Sequence, residues 1–349
     1  MQKDFPGTRF LPPYNFPGVD PIDYAQAKVV VIPAPFDGTT SWKTGARHGP
    51  EAIISASRWL ETYDEELGRD FTEEGFHTLP ELEPDYGSVE NTVAAVETVA
   101  GKILGDGKFP LLLGGEHALS VGAFRALKSK RPDASVLYFD AHPDLRDEFE
   151  GTRFGHACAA RRGLDLGLRI AQVGIRSVSA EDKDVYDKHP GQIRPFYAFD
   201  KANWDAGEIS GSLSDDVYVS FDVDAFDSSL MPATGTPEPG GLFWDEVLVI
   251  LREVAKSHKI VGADVMELSP RPSLHACDFL AAKLAYKLAG FALARPRGRP
   301  PGVGFINSPP LRIASSCRLG RKVVYPEKCS STSEPQKKSS RRRARPSLS

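Results

Sequence analysis

The 349-residue chain carries 43 Lys/Arg against 47 Asp/Glu, a net charge of −4, and is 41% hydrophobic. That is ordinary for a soluble globular α/β chain with one sizeable core, and the lack of any uninterrupted apolar run of about 18 residues excludes a membrane-spanning helix. The charge is split, because 14 of the basic residues but only 2 of the acidic ones fall in 295–349, leaving an acidic body and a basic C-terminal stretch.

An acidic body favours cationic ligands by field focusing, although plain solubility accounts for it equally well. The four cysteines, Cys158, Cys277, Cys317 and Cys329, have neither zinc-ligand nor disulfide spacing, and the N-terminus has no apolar signal core. Both features fit a cytoplasmic protein.

In chain order, residues 1–27 are rich in Pro, Gly and aromatics and read as an irregular segment laid over the body. Val29-Val30-Val31-Ile32 reads as a first buried strand, followed by the turn-rich Pro33–Ser41 and a helix over 51–59 opened by Pro50. Residues 60–88 suggest loops with short strands. The stripe Val93, Val96, Val99, Ala100, Ile103 predicts a helix from about 88 to 104. Strands follow at 109–113, 136–139, 169–175, 216–221 and 260–265. They alternate with helices at 118–128, 157–163, 179–188, 245–257 and about 277–293. Strands alternating with helices imply a parallel sheet covered on both faces, with ligands bound beyond the carboxyl ends of the strands. From Pro296 the periodicity stops; the composition of 295–349 cannot bury a core and suggests a disordered tail, with no nucleic-acid-binding module and little aromatic interleaving. The domain division is therefore 1–294 and 295–349.

The polar clusters fall just after strands. Asp140-Ala141-His142-Pro143-Asp144 follows the run Val136–Phe139. In extended chain residues i, i+2 and i+4 share a face, so two carboxylates and an imidazole emerge together where the strand ends. Burying them without a partner would be costly; a bound cation is the natural reason, and a satisfied hydrogen-bond cluster at a strand end is the alternative. His117, Asp222 and Asp224 end other strands. Four carboxylates and two imidazoles without a thiolate suit Mn²⁺, Mg²⁺ or Fe²⁺. Six ligands also exceed the needs of one ion with an open position, so two ions fit better.

Gly114-Gly115-Glu116-His117, Asp140–Asp144, Ser220–Asp227, Thr234–Gly241, Asp264–Pro270 and Pro33–Pro50 together resemble the ureohydrolase family of arginases, agmatinases and related guanidino hydrolases, over roughly residues 20–293. The resemblance implies a three-layer α/β/α sandwich around a mostly parallel sheet, two Mn²⁺ per subunit, and a homo-oligomer, trimer or hexamer. It implies one ion on His117, Asp140, Asp144 and Asp222, the other on His142, Asp140, Asp222 and Asp224, and a hydroxide between them that attacks the guanidinium carbon. It further implies that Glu267 faces the guanidinium, as a carboxylate suits a planar fork of N–H donors, and that His156 passes a proton to the leaving amine.

Loop 145–156 should set specificity. It has neither Asn nor Ser, unlike the arginase loop that reads an α-carboxylate and α-amine. The expected substrate is a small cationic guanidino compound, agmatine or aminopropyl-agmatine, giving urea and a polyamine, with its amine received by Asp147, Glu148 or Glu150. Arg146 points the other way, toward an acid such as guanidinobutyrate. Two alternatives from other classes are a metal-binding relative without turnover and a deacetylase on a related scaffold holding a single zinc.

Overall fold

In the computed structural model, which describes residues 11–294, each apolar run becomes a strand buried on both faces. The tail 295–349 and residues 1–10 lie outside the described residues.

The elements, in order, are β1 (Val29–Ala34), α1 (Gly49–Ser57), a small hairpin of β2 (Tyr63–Asp64) and β3 (Arg69–Asp70), β4 (Phe76–Thr78), α2 (Val89–Gly105), β5 (Phe109–Gly114), α3 (Ser120–Lys130), β6 (Ser135–Phe139), α4 (Ala159–Asp165), β7 (Arg169–Ile175), α5 (Ala180–Lys188), β8 (Ile193–Tyr197), α6 (Ala206–Gly211), β9 (Asp216–Asp222), α7 (Trp244–Ser257), β10 (Lys259–Met266) and α8 (His275–Leu293). Eight of the strands form one sheet in the order β4-β1-β5-β10-β9-β6-β7-β8. Their pairings are all parallel.

The strand period divides the core in two. Leu137 and Phe139 of β6, with Val217, Val219 and Phe221 of β9, pack toward Ile53 of α1, Leu251 of α7 and Ala281 of α8. Val136 and Tyr138, with Tyr218, pack on the other face toward Val96 of α2, Phe124 of α3 and Leu164 of α4. This is the expected α/β/α sandwich. No helix among the described residues is long and apolar enough to cross a membrane.

Two elements carry no sequence signal of their own. β8 contains Pro195, which argues against a central strand; it sits at the sheet edge, where a missing N–H leaves no broken ladder. α6 has only six residues, too short for periodicity to register.

The long loop after β9 is held by Asp227. Its carboxylate accepts hydrogen bonds from the Ser229 hydroxyl (2.5 Å) and N–H (3.0 Å), and from the N–H groups of Gly240 (2.7 Å) and Gly241 (3.0 Å). Partial burial pushes the acid up, but these four donors overcome it and hold its pKa at about 2, below the ordinary 3.8. A depressed folded-state pKa contributes stability above the unfolded value, and that stability is lost as pH falls through the folded one. Thermal midpoints of the wild type and Asp227→Asn should therefore differ most above pH 4 and converge as pH approaches 2. A gap that stays constant across that window contradicts the assignment.

Candidate metal centre and active-site cavity

The four central strands, β5, β10, β9 and β6, are neighbours, and each delivers polar residues at its carboxyl end. β5 leads to His117, β10 to Glu267, β9 to Asp222 and Asp224, and β6 to Asp140, His142 and Asp144. Five of the six candidate ligands are buried; His142 is partly exposed.

They converge on two overlapping sets, His117 with Asp140 and Asp144, and Asp140 with His142 and Asp224. His117 Nδ1 stands 3.0 Å from Asp140 Oδ2 and 3.4 Å from an oxygen of both Asp144 and Asp222. His142 Nδ1 stands 3.0 Å from Asp224 Oδ2 and 3.5 Å from Asp140 Oδ1. Asp140 thus turns one oxygen to each imidazole. Asp222 approaches the His117 side, and its Oδ1 accepts the N–H of Asp224 at 2.8 Å.

The reason for the convergence at 140–144 differs from the one anticipated. β6 stops at Phe139, and the chain beyond it is not extended: Asp144 has φ 52°, in the left-handed region. Its carboxylate is aimed by that local turn and by Tyr138, whose hydroxyl donates to Asp144 Oδ2 at 2.7 Å. Tyr138 also stacks on the His117 ring, centroids 4.5 Å apart. Sequence reasoning counted Tyr138 only as core. Ser220 and Asp264 were likewise missed as site residues. His117 Nε2 meets Ser220 Oγ at 2.9 Å, and that hydroxyl donates to Asp264 Oδ1 at 2.9 Å. With the Ser220 proton committed to Asp264, Nε2 donates to Ser220 Oγ, which leaves Nδ1, the nitrogen facing the carboxylates, as the one that would take an ion.

The donor set fits divalent cations. Four carboxylates against two imidazoles leave excess buried negative charge, and Asp140 Oδ2, fully buried, accepts no hydrogen bond. Burial opposes protonation of His117 and His142, yet Asp140 and Asp222 around the first, and Asp224 and Asp140 around the second, pull both well above their ordinary value. The cluster draws positive charge into itself.

Beside it lies a cavity of about 360 Å³. Glu267 and His156 line it, with Thr40, Ser41 and Trp42, Arg146 and Phe149, Ser177 to Ser179, and Asp182. Glu267 is buried at φ 65°, and its Oε1 accepts the N–H of His117 at 2.8 Å. Burial, then the neighbouring Glu116, pushes its pKa up to about 8. His156 meets Ser41 Oγ through Nε2 at 3.2 Å, and burial keeps its pKa below the usual 6.5. Gly115 is demanded here by close approach, since a Cβ would collide with the Phe36 carbonyl.

The substrate-loop expectations need correction. Asp147 does not line the cavity; its carboxylate pairs with Arg153 at 2.8 Å and with Arg162. Glu148 and Glu150 are exposed and line no part of it. Three arginines downstream, Arg153, Arg161 and Arg162, draw Asp147 outward. Apart from the candidate ligands and Glu267, the acidic group at the cavity wall is Asp182, buried on the first turn of α5. Its Oδ2 closes a capping box with Ser179, while Oδ1 has no hydrogen-bond partner. Arg146 lies in the wall with its guanidinium 4.6 Å over the Phe149 ring.

The arginase family model matches residues 27–290. The chain belongs to the arginase family. It is a hydrolase of the agmatinase-like ureohydrolase type. An N(1)-aminopropylagmatine ureohydrolase from Synechocystis is 39% identical over 77% of this chain and 90% of its own. An agmatinase from Pyrococcus horikoshii is 38% identical over 78% of this chain and 94% of its own. The crystal structure of the agmatine ureohydrolase of Thermoplasma volcanium superposes with a TM-score of 0.72 at 35% identity, covering 78% of this chain and 92% of that one.

Proposed function

We propose that this family member hydrolyses the guanidinium group of agmatine, or of an aminopropyl-extended agmatine, to urea and a polyamine. His117, Asp140, Asp144 and Asp222 would hold one Mn²⁺, and His142, Asp140, Asp222 and Asp224 the other. When bound, such a pair polarises water so that a nucleophile is available near neutral pH.

The protein's own groups do the rest. Glu267, whose ionised form a guanidinium beside it favours, receives that fork and orients its carbon toward the cluster. Its Oε1 is already committed to the His117 N–H, so the other oxygen and the fixed backbone set the angle. His156, kept neutral near pH 7 by its lowered pKa, is suited to move a proton toward the leaving amine. The observation that carries the substrate reading is Asp182. A buried carboxylate with one unpartnered oxygen in the wall suits the amine at the substrate's far end. Arg146 in the same wall favours the competing reading, a carboxylate-bearing substrate such as guanidinobutyrate.

Urea release from agmatine, aminopropyl-agmatine, arginine and guanidinobutyrate, measured side by side with added Mn²⁺, separates the readings. The first two should exceed the carboxylate-bearing pair in kcat/KM by about 10²-fold, as a like charge facing Asp182 costs several kcal/mol. Asp182→Asn should lower kcat/KM for agmatine about tenfold. A preference for guanidinobutyrate or arginine overturns the proposal. Stoichiometric metal analysis checks the two ions against a single zinc.

A further inference from the structure

Glu116 is fully buried beside the cluster, is not a ligand, and faces away toward loop 36–45. Both its oxygens are taken by a single residue. Oε2 accepts the N–H of Thr39 at 2.7 Å, and Oε1 accepts the Thr39 hydroxyl at 2.6 Å. That hydroxyl in turn accepts the backbone N–H of His156 at 3.1 Å. A hydroxyl has one proton, and an amide N–H can only donate. The hydroxyl can therefore serve His156 only if its own proton goes elsewhere, and Glu116 supplies the acceptor.

His156 needs this help. It opens a short 3₁₀ turn, 156–158, after Gly155, which has no side chain to cap it. Its N–H would otherwise lack a partner at the end of a loop with exposed residues. Ser41, two residues beyond Thr39, meets the ring at Nε2. Loop 39–41 thus holds both the backbone and the imidazole of His156, and Glu116 ties that loop to the end of β5.

We propose that Glu116, acting through Thr39, is the positioning residue that aims His156 into the cavity. This rests on the proton-transfer role given to His156 above.

The test compares wild type, Thr39→Val, Thr39→Ser, Glu116→Gln, His156→Ala and the double variant Thr39→Val/His156→Ala, all loaded with Mn²⁺ and assayed on agmatine. Thr39→Val removes the hydroxyl at nearly constant volume. It should lower kcat roughly tenfold, as expected for a small misplacement of a catalytic group, with KM and bound metal unchanged. Thr39→Ser should recover most of the loss. Glu116→Gln keeps one acceptor but turns an amide NH₂ toward a Thr39 donor, and should reproduce the loss independently of any folding defect in Thr39→Val. In the His156→Ala background Thr39→Val should cause no further drop, because both act through one group. If Thr39→Val and Glu116→Gln turn over like wild type while His156→Ala is impaired, the positioning role is wrong and the proposed reaction stands. Losses that multiply in the double variant also overturn it, as a purely structural role predicts. If His156→Ala itself matches wild type, the proton-transfer role fails and this inference falls with it.

Discussion

Asp140→Asn should lower kcat/KM by about 10³-fold or more, the equivalent of several kcal/mol of charge stabilisation supplied by the metal pair. The variant should also bind fewer than two Mn²⁺ per chain. Asn matches Asp in size, so the effect cannot be steric. Asp140 is the group shared by the two clusters His117/Asp140/Asp144 and Asp140/His142/Asp224, with Oδ2 at 3.0 Å from His117 and Oδ1 at 3.5 Å from His142. An amide offers one acceptor and turns an NH₂ toward the place where the second ion would bind. Metal content and turnover measured on the same preparation decide the matter. A variant that keeps two ions and loses less than tenfold refutes the shared role. The wild type supplies the converse check. Chelation should lower its thermal midpoint and Mn²⁺ should restore it, because bound ions would offset four clustered carboxylates that two imidazoles cannot balance.

The second large effect belongs to Glu267. Glu267→Gln should lower kcat/KM by about 10²-fold or more while leaving the bound metal intact. Removing one partner from a buried, hydrogen-bonded charge pair costs about 2–5 kcal/mol, and each 1.4 kcal/mol is tenfold. Gln preserves the geometry: its carbonyl can still accept the His117 N–H, now 2.8 Å from Oε1, and the left-handed backbone at φ 65° places no new demand on it. What changes is the second oxygen, which becomes an NH₂ facing the donors of a guanidinium. A drop of only a few-fold would move guanidinium recognition elsewhere in the cavity. A drop accompanied by metal loss would make Glu267 a support for His117 rather than a substrate contact.

The architecture was largely legible from periodicity. Strands buried on both faces announce themselves as continuous apolar runs, and Arg169–Ile175 matches its anticipated span end to end. β8 and α6 were silent because an edge strand tolerates Pro195 and a six-residue helix shows less than two turns of pattern. The polar groups that end β5, β6, β9 and β10 were legible as well, because such groups after a buried strand have few other uses. The outward turn of Asp147 was not legible. Its charge matched the expected substrate, but three arginines up to fifteen residues further on compete for it, and only three-dimensional packing shows who wins.

The sequence by itself determined the order of the strands and helices apart from β8 and α6, the α/β class, the family, and the identity of the groups at the central strand ends. These are local properties, carried by residue type and spacing. Tertiary structure decided what each group faces. It gave Asp140 one oxygen for each imidazole, spent the Ser220 proton on Asp264, drew Asp147 out of the cavity and left Asp182 in its wall, and joined Thr39 to Glu116 and His156 from 77 and 117 residues apart. Hydrogen bonds and ion pairs of that reach depend on which segments the sheet brings side by side. No spacing along the chain encodes them.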